Sequence, residues 1–439
     1  MRLRLPLLAT TCVAALLLAA PAHAGQAITG QTVATVSNGT GQVTTSIVIT
    51  GSTVMGAVTN AGTIAPGKVS PNGNASTVAL AIFNSSVGGG VLNSGTITAT
   101  GTNAAFAISI TNSISGGLVN SGTINANGGF IAEGVNADTI SGGILNSGTI
   151  SASANGANAN VAFGVVAQTV TGATVNSGTI TVNGPIALGI EVLAGSGGVA
   201  NMGQITVNAA KSNAVGILVN TQSGAISNSG SIVVNPVTFG SGISVAGGSV
   251  GGGIANSGTI TVSGAKNEAF GISVSQGTVV GGISNIGTIT ATGSGAKGFV
   301  DGIFIQAMTT IAGGITNGGT INGTGVNFTR GIESDNSTTS GGIENSGSIT
   351  LSGKTGLGIF IFGGGAHPAS TVSGGIANSG TISVNAGKSA TGIRIGQSTV
   401  SGGIANSGTI TSTSSSGSAE GIIRATRKPD IVGGFRPAA

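Results

Sequence analysis

Cysteine is almost missing from this chain of 439 residues: Cys12 is the only one. There is no Trp, no Tyr, and only 5% of residues are charged. Each shortage closes a class of function. Without paired cysteines there is no disulfide frame and no thiolate zinc site. His23 and His367 are the only histidines, too few for a triad or a histidine metal centre. No run of 18 apolar residues follows the first 24, so the sequence offers no helical membrane anchor. No stretch after residue 24 keeps a 3.6-residue apolar period, which leaves no signal for a long helix.

Glycine fills the space instead, with 83 copies, and with it comes a repeated phrase, Asn-Ser-Gly-Thr-Ile or a near variant. Its Asn falls at 60, 93, 120, 146, 176, 201, 228, 256, 285, 317, 345, 378 and 406, a period of about 29 residues. That length exceeds one strand and falls short of a domain, as in a solenoid whose repeats bury their apolar sides only against one another. Within a repeat, short runs of Ile, Val and Thr alternate with small or polar residues, and Gly, Ser and Asn separate the runs. This is strand and turn chemistry. The predicted fold is all-β: a right-handed parallel β-helix of about 13 coils, roughly 60 Å long at one coil per 4.8 Å.

Stacking assigns roles to the fixed positions. The fifth residue of the phrase is Ile in every copy, from Ile64 to Ile410, and should form an interior column. The third is Gly, where a Cβ finds no room. The asparagines Asn93, Asn120, Asn146, Asn176, Asn228, Asn256, Asn285, Asn345, Asn378 and Asn406 are expected to form a structural amide ladder, each bonded to the next. Thr259 and Thr261, with their counterparts in other repeats, flank the Ile column as a hydroxyl-bearing face that would suit ice or a polysaccharide; Val233, Asn125 and Asn322 interrupt it.

The sequence divides into four parts. Residues 1–24 have the arrangement of a secretory signal: Arg2 and Arg4, an apolar middle, and Ala22-His23-Ala24 before Gly25. Residues 25–55 are expected to form an N-terminal cap, residues 56–423 the β-helix, and residues 424–439 a basic tail outside the repeat. Between 25 and 420 there are 8 basic and 9 acidic residues, so no basic face is expected in the rod and nucleic acid is not expected as a partner.

The signal-like start, the Cys-free body and the phrase Gly-Gly-Ile-x-Asn-Ser-Gly-Thr-Ile at 142–150, 252–260, 374–382 and 402–410 resemble the passenger domains of bacterial autotransporters. The resemblance covers roughly residues 56 to 423. It implies an exported, non-enzymatic surface β-helix serving adhesion, aggregation or display, with host or neighbouring-cell glycans or proteins as partners. The sequence departs from the family in showing no membrane-barrel strands, so outer-membrane contact would need a barrel this chain does not carry. One alternative is a truncated autotransporter fragment without activity, which would stay in the periplasm.

Candidate chemistry is sparse, and no catalytic residue, metal ligand or cofactor is expected. Alternation places Asp301 and Arg330 two residues before Ile303 and Ile332, hence inward, as a neutralising ion pair in a column shared with Phe163, Leu188, Val215, Phe270 and Leu357. The column holding Phe304, Glu333, Phe360 and Arg394 is expected to face out as a contact patch. The alternative function is a carbohydrate-active enzyme using Glu333 and Asp335, near Asp301 and Glu344.

Overall fold

In the computed structural model, which describes residues 25–66, 76–363, 369–424 and 435–437, every regular element is a β-strand and every strand pairing is parallel. The segments expected to hold the signal (1–24), His367 and most of the basic tail lie outside the described residues.

One coil shows how the sequence makes the fold. Ile254–Asn256 forms a short strand, Thr259–Ala265 a second, Glu268–Ser275 a third and Thr278–Val279 a fourth. Each lies on its equivalent in the next coil: Ile254 on Ile283, Thr259 on Thr288, Ala269 on Val300 and Thr278 on Thr310. Repetition yields two continuous sheets, one of 15 short strands and one of 36. The chain is therefore a parallel β-solenoid, as the period implied. Strands within Gln26–Val54 pair in the same way with the following coil, so the stack begins ahead of residue 56.

Two glycines of the phrase do different work. Gly253 has φ of +84°, a left-handed conformation that turns the chain into the short strand and suits glycine. Gly258 is required by proximity: a Cβ there would lie 2.1 Å from the carbonyl oxygen of Gly230 in the coil below. The interior is a column of Ile, with Ile232, Ile260, Ile289 and Ile321 all at 0% exposure, joined by Val and Ala into one apolar core. Full burial of such a side chain contributes about 1.5–3 kcal/mol.

The asparagines form the expected ladder. Thirteen consecutive bonds run from Asn38 to Asn406, each Nδ2 donating to the Oδ1 of the next coil at 2.7–2.8 Å. The ten asparagines expected in it all belong to it, together with Asn60, Asn201 and Asn317 of the same phrase and Asn38 ahead of it. The same side chains also donate to backbone carbonyls, as Asn228 does to Thr259 at 3.2 Å. Their backbone carbonyls accept from the two residues that follow the next Asn, as Asn228 does from Ser257 and Gly258 at 2.8 and 3.0 Å. A buried amide is tolerated because its hydrogen-bonding groups find partners.

Candidate binding groove

A second glycine column shapes the outer surface. In Val300-Asp301-Gly302-Ile303-Phe304, Val300 and Ile303 belong to the core, and a Cβ on Gly302 would strike Cγ2 of the core residue Ile321 at 2.2 Å. Gly302 and Ile303 thus both face inward, and strand alternation is broken at that bend. The residues on either side, Asp301 and Phe304, both point away from the core, and their columns meet where Ser241 bonds Ser273 and Phe270 packs on Phe304. The same happens at Arg330 and Glu333 around Gly331, where a Cβ would meet Ile349 at 2.5 Å. Two outward columns therefore close on one another and form a groove along the rod.

This geometry corrects two expectations. Asp301 and Arg330 do stack as an ion pair, but in the groove and not in the core, because the glycine bend resets the alternation. Phe304 and Glu333 do not form an exposed patch: they are 8% and 2% exposed, since the opposing column covers them. Phe360 and Arg394 are half-buried. Val215, Phe270, Phe304 and Leu357 are buried yet stand apart from the core cluster, as side chains covered only by the groove would.

Among the described residues, most aromatic and ionic contacts gather here. Phe270 packs on Phe239 and Phe304 at centroid distances of 5.6 and 4.5 Å, and Phe299 stacks on Phe328 at 5.6 Å. Arg330 donates from Nε to Oδ1 of Asp301 at 2.6 Å, from Nη2 to Oδ2 at 3.0 Å, and from Nη1 to Oε1 of Glu333 at 2.7 Å. Its guanidinium lies 4.9 Å from the Phe299 ring centroid. Burial pushes the Asp301 carboxyl up to about 6 despite the attraction of Arg330. Burial likewise raises Glu333 well above the usual carboxylate range, with Asp301 and Asp335 adding to it against Arg330. For Arg330, burial favours loss of the proton, but the carboxylates of Asp301 and Glu333 prevail and raise its pKa. Farther toward the N-terminus, burial also raises Glu133, which Asn136 hydrogen-bonds, and Glu191.

The alternative catalytic set is only partly assembled. Asp301, Glu333 and Asp335 all act on Arg330, whereas Glu344 lies on the short sheet, on strand Ile343–Asn345. Asp301 has no exposed surface, and one Glu333 oxygen is held by Arg330. Among the described residues, no cluster of three His, Cys, Asp or Glu side chains is placed to hold a metal ion.

Sequence reading missed a basic edge beside this groove. The column Phe239, Glu268, Phe299, Phe328, Thr355, Ser389 and Ser418 is in continuous register. Just before this column stand Lys266 and Lys297, between strands, and Lys354 and Lys388, within strands Ser348–Phe362 and Thr381–Gly396; Lys211 precedes it in an earlier coil, where Val237 and Thr238 of the next coil donate to Ser212 O. All five lysines are exposed, and they are all the lysines among the described residues. At its C-terminal end the edge borders a cleft of about 600 Å³ lined by Asn327, Phe328, Lys354, Thr355, Lys388, Ser389, Arg394, Ser416, Gly417 and Ser418. Arg394 lies 5.7 Å from the Phe360 ring centroid, and its buried Nε has no hydrogen-bond partner. The lysines are far apart in sequence, so local charge counting finds nothing. The available signal was their phase, 9 to 12 residues after a ladder Asn.

Comparison with protein-family models, curated proteins and solved structures finds no match for the chain.

Proposed function

We propose that the chain is an exported, non-enzymatic β-helical rod of the passenger type, working in adhesion, aggregation or surface display. The observation that carries this reading is the unbroken asparagine ladder from Asn38 to Asn406, which runs the length of the stack and keeps one groove in register along it. A scaffold of this kind holds side chains at a fixed repeat of about 4.8 Å. Its work is to extend a surface and present it. Repetition also separates length from stability, because each coil depends mainly on its neighbours.

The test is display of the chain through a heterologous anchor on a non-adherent bacterium, followed by counting of cell–cell and cell–surface attachment. Attachment should appear with the full rod and fall when residues 228–316 are deleted, which removes three whole repeats and joins one ladder Asn position to another. Attachment no different from that of cells bearing the anchor alone would defeat the proposal.

A further inference from the structure

We propose that the lysine edge and the cleft at its end bind an acidic polysaccharide lying along the rod, a narrower claim that rests on the adhesive reading above. Lys211, Lys266, Lys297, Lys354 and Lys388 stand just before the same column in five of seven consecutive coils, with Val237 and Val326 in the two coils that carry no lysine. Their side chains are exposed, and none is in an ion pair among the described residues. The acids closest along the same strands are Glu268, two residues after Lys266, and Glu420, two residues after Ser418. Neither is bonded to a lysine. The rod thus presents a row of cations one or two coils apart, and a row of that kind suits a linear polymer that carries anions along its length.

The cleft adds features that a bare charge row lacks. Thr355, Ser389 and Ser418 follow Phe328 in register, and the Ser389 and Ser418 hydroxyls are 3.2 Å apart. A ring followed by a ladder of hydroxyls gives a sugar both an apolar face to rest on and partners for its own hydroxyls. Arg394 lines the same cleft. A guanidinium suits a carboxylate or sulfate ester because it can donate two parallel bonds. The size of the cleft falls within the usual range for small-ligand sites, roughly 300–1,000 Å³.

Charge density favours a glycan over a nucleic acid. Five lysines spread over seven coils give about one charge per 7 Å at a 4.8 Å rise. Duplex DNA carries one per about 1.7 Å. The row would leave most phosphates of a nucleic acid unanswered, whereas a glycan with one acid group every sugar or two is matched. Carboxylate and sulfate ester satisfy the same donors, so the ligand class is a uronate or sulfated polysaccharide.

The experiment measures binding of the purified chain to immobilised polygalacturonate, dextran sulfate, neutral dextran and a single-stranded DNA oligonucleotide at low and physiological salt. Binding is expected to one or both acidic polysaccharides, weakening with salt, and not to neutral dextran. The first two probes show whether carboxylate or sulfate is preferred. Replacing all five lysines with Ser should weaken binding at least tenfold, and Arg394→Gln severalfold. Unchanged circular dichroism and melting of the lysine variant would show that the rod is intact. Failure to bind either polyanion, equal binding by the lysine variant, or tighter binding to DNA would overturn the proposal. Cells displaying the five-lysine variant separate the two claims: undiminished attachment leaves the adhesive reading standing and removes this one. Polyanion binding without attachment does the reverse.

Discussion

Arg330 clasps Asp301 of the preceding coil through two parallel bonds, Nε to Oδ1 at 2.6 Å and Nη2 to Oδ2 at 3.0 Å, while Nη1 donates to Glu333 of its own strand. One cation thus serves two carboxylates in a groove that water hardly reaches. Removing the cation leaves two buried acids uncompensated, whereas removing one acid leaves the arginine its other partner. Arg330→Met is therefore expected to cost about 3–5 kcal/mol, and Asp301→Asn less. Because a repeat rod need not unfold in one step, the suitable measurement is hydrogen exchange in strands Phe299–Gln306 and Phe328–Asp335. Equal protection in the two variants would contradict this account of the network.

Burial of acids sets a pH dependence with an unusual sign. Asp301 is raised to about 6, and Glu333, Glu133 and Glu191 are raised as well, each chiefly by burial. A carboxyl with a higher pKa in the folded state binds its proton more tightly there than in the unfolded chain. Its contribution is complete below the ordinary carboxyl value of about 4 and is lost as pH rises through the folded value, about 6 for Asp301. The rod should therefore resist urea better near the lower value than at neutrality, and the double variant Asp301→Asn, Glu333→Gln should flatten the trend. Urea midpoints across that window, compared between the two proteins, decide it; wild-type resistance that climbs toward neutrality would refute the assignment.

What the sequence made legible follows from the kind of constraint acting on each residue. The ladder and the Ile column were readable because a stacked position must satisfy the same neighbours in every coil, so Asn256 and Ile260 recur in phase. The groove was not readable in the same way. Strand alternation places Asp301 inward, and only the close approach of Gly302 to Ile321 shows that the register of faces resets at that glycine. Phe304 and Glu333 were expected to be exposed because alternation assigns a direction and does not show what lies opposite. The lysine edge escaped for a third reason: Lys266 and Lys297 are neighbours only once the coils are stacked.

The asparagine ladder makes a prediction about position along the rod. Asn256 accepts from Asn228 and donates to Asn285, both at 2.7 Å, inside a fully buried column. Asn256→Ala takes from Asn228 its shortest acceptor, leaving the Thr259 carbonyl at 3.2 Å, and orphans the Oδ1 of Asn285; a buried orphan costs about 1–3 kcal/mol. Asn406 closes the series; it accepts from Asn378 and donates to Gly408 at 3.2 Å, with no later Asn above it. Asn406→Ala orphans no amide oxygen and leaves Asn378 its bond to Gly380 O at 3.4 Å. Thermal melting should fall markedly further for the central variant. Similar losses at both sites would mean that the amide chain contributes little and that the apolar column alone sets stability.

The glycine of the phrase gives the sharpest contrast between space and backbone conformation. At Gly258 an added methyl would sit 2.1 Å from Gly230 O and 2.6 Å from the Ser229 carbonyl carbon, both backbone atoms that cannot move without parting the coils. At Gly247 the same methyl meets nothing within 4 Å, but φ is +75°, so the penalty is the left-handed conformation alone. That conformation costs an L-residue about 1–2 kcal/mol. Gly258→Ala must instead lift one coil from its neighbour, stretching backbone bonds such as Gly258 N to Asn228 O at 3.0 Å and Thr259 N to Gly230 O at 2.9 Å. The Gly258 variant is therefore expected to lose hydrogen-exchange protection in strands Ser231–Asn235 and Thr259–Ala265 on both sides of the change. The Gly247 variant should keep protection there and show a modest drop in melting temperature. If Gly258→Ala is tolerated as well as Gly247→Ala, the coils are not stacked as closely as the repeat requires.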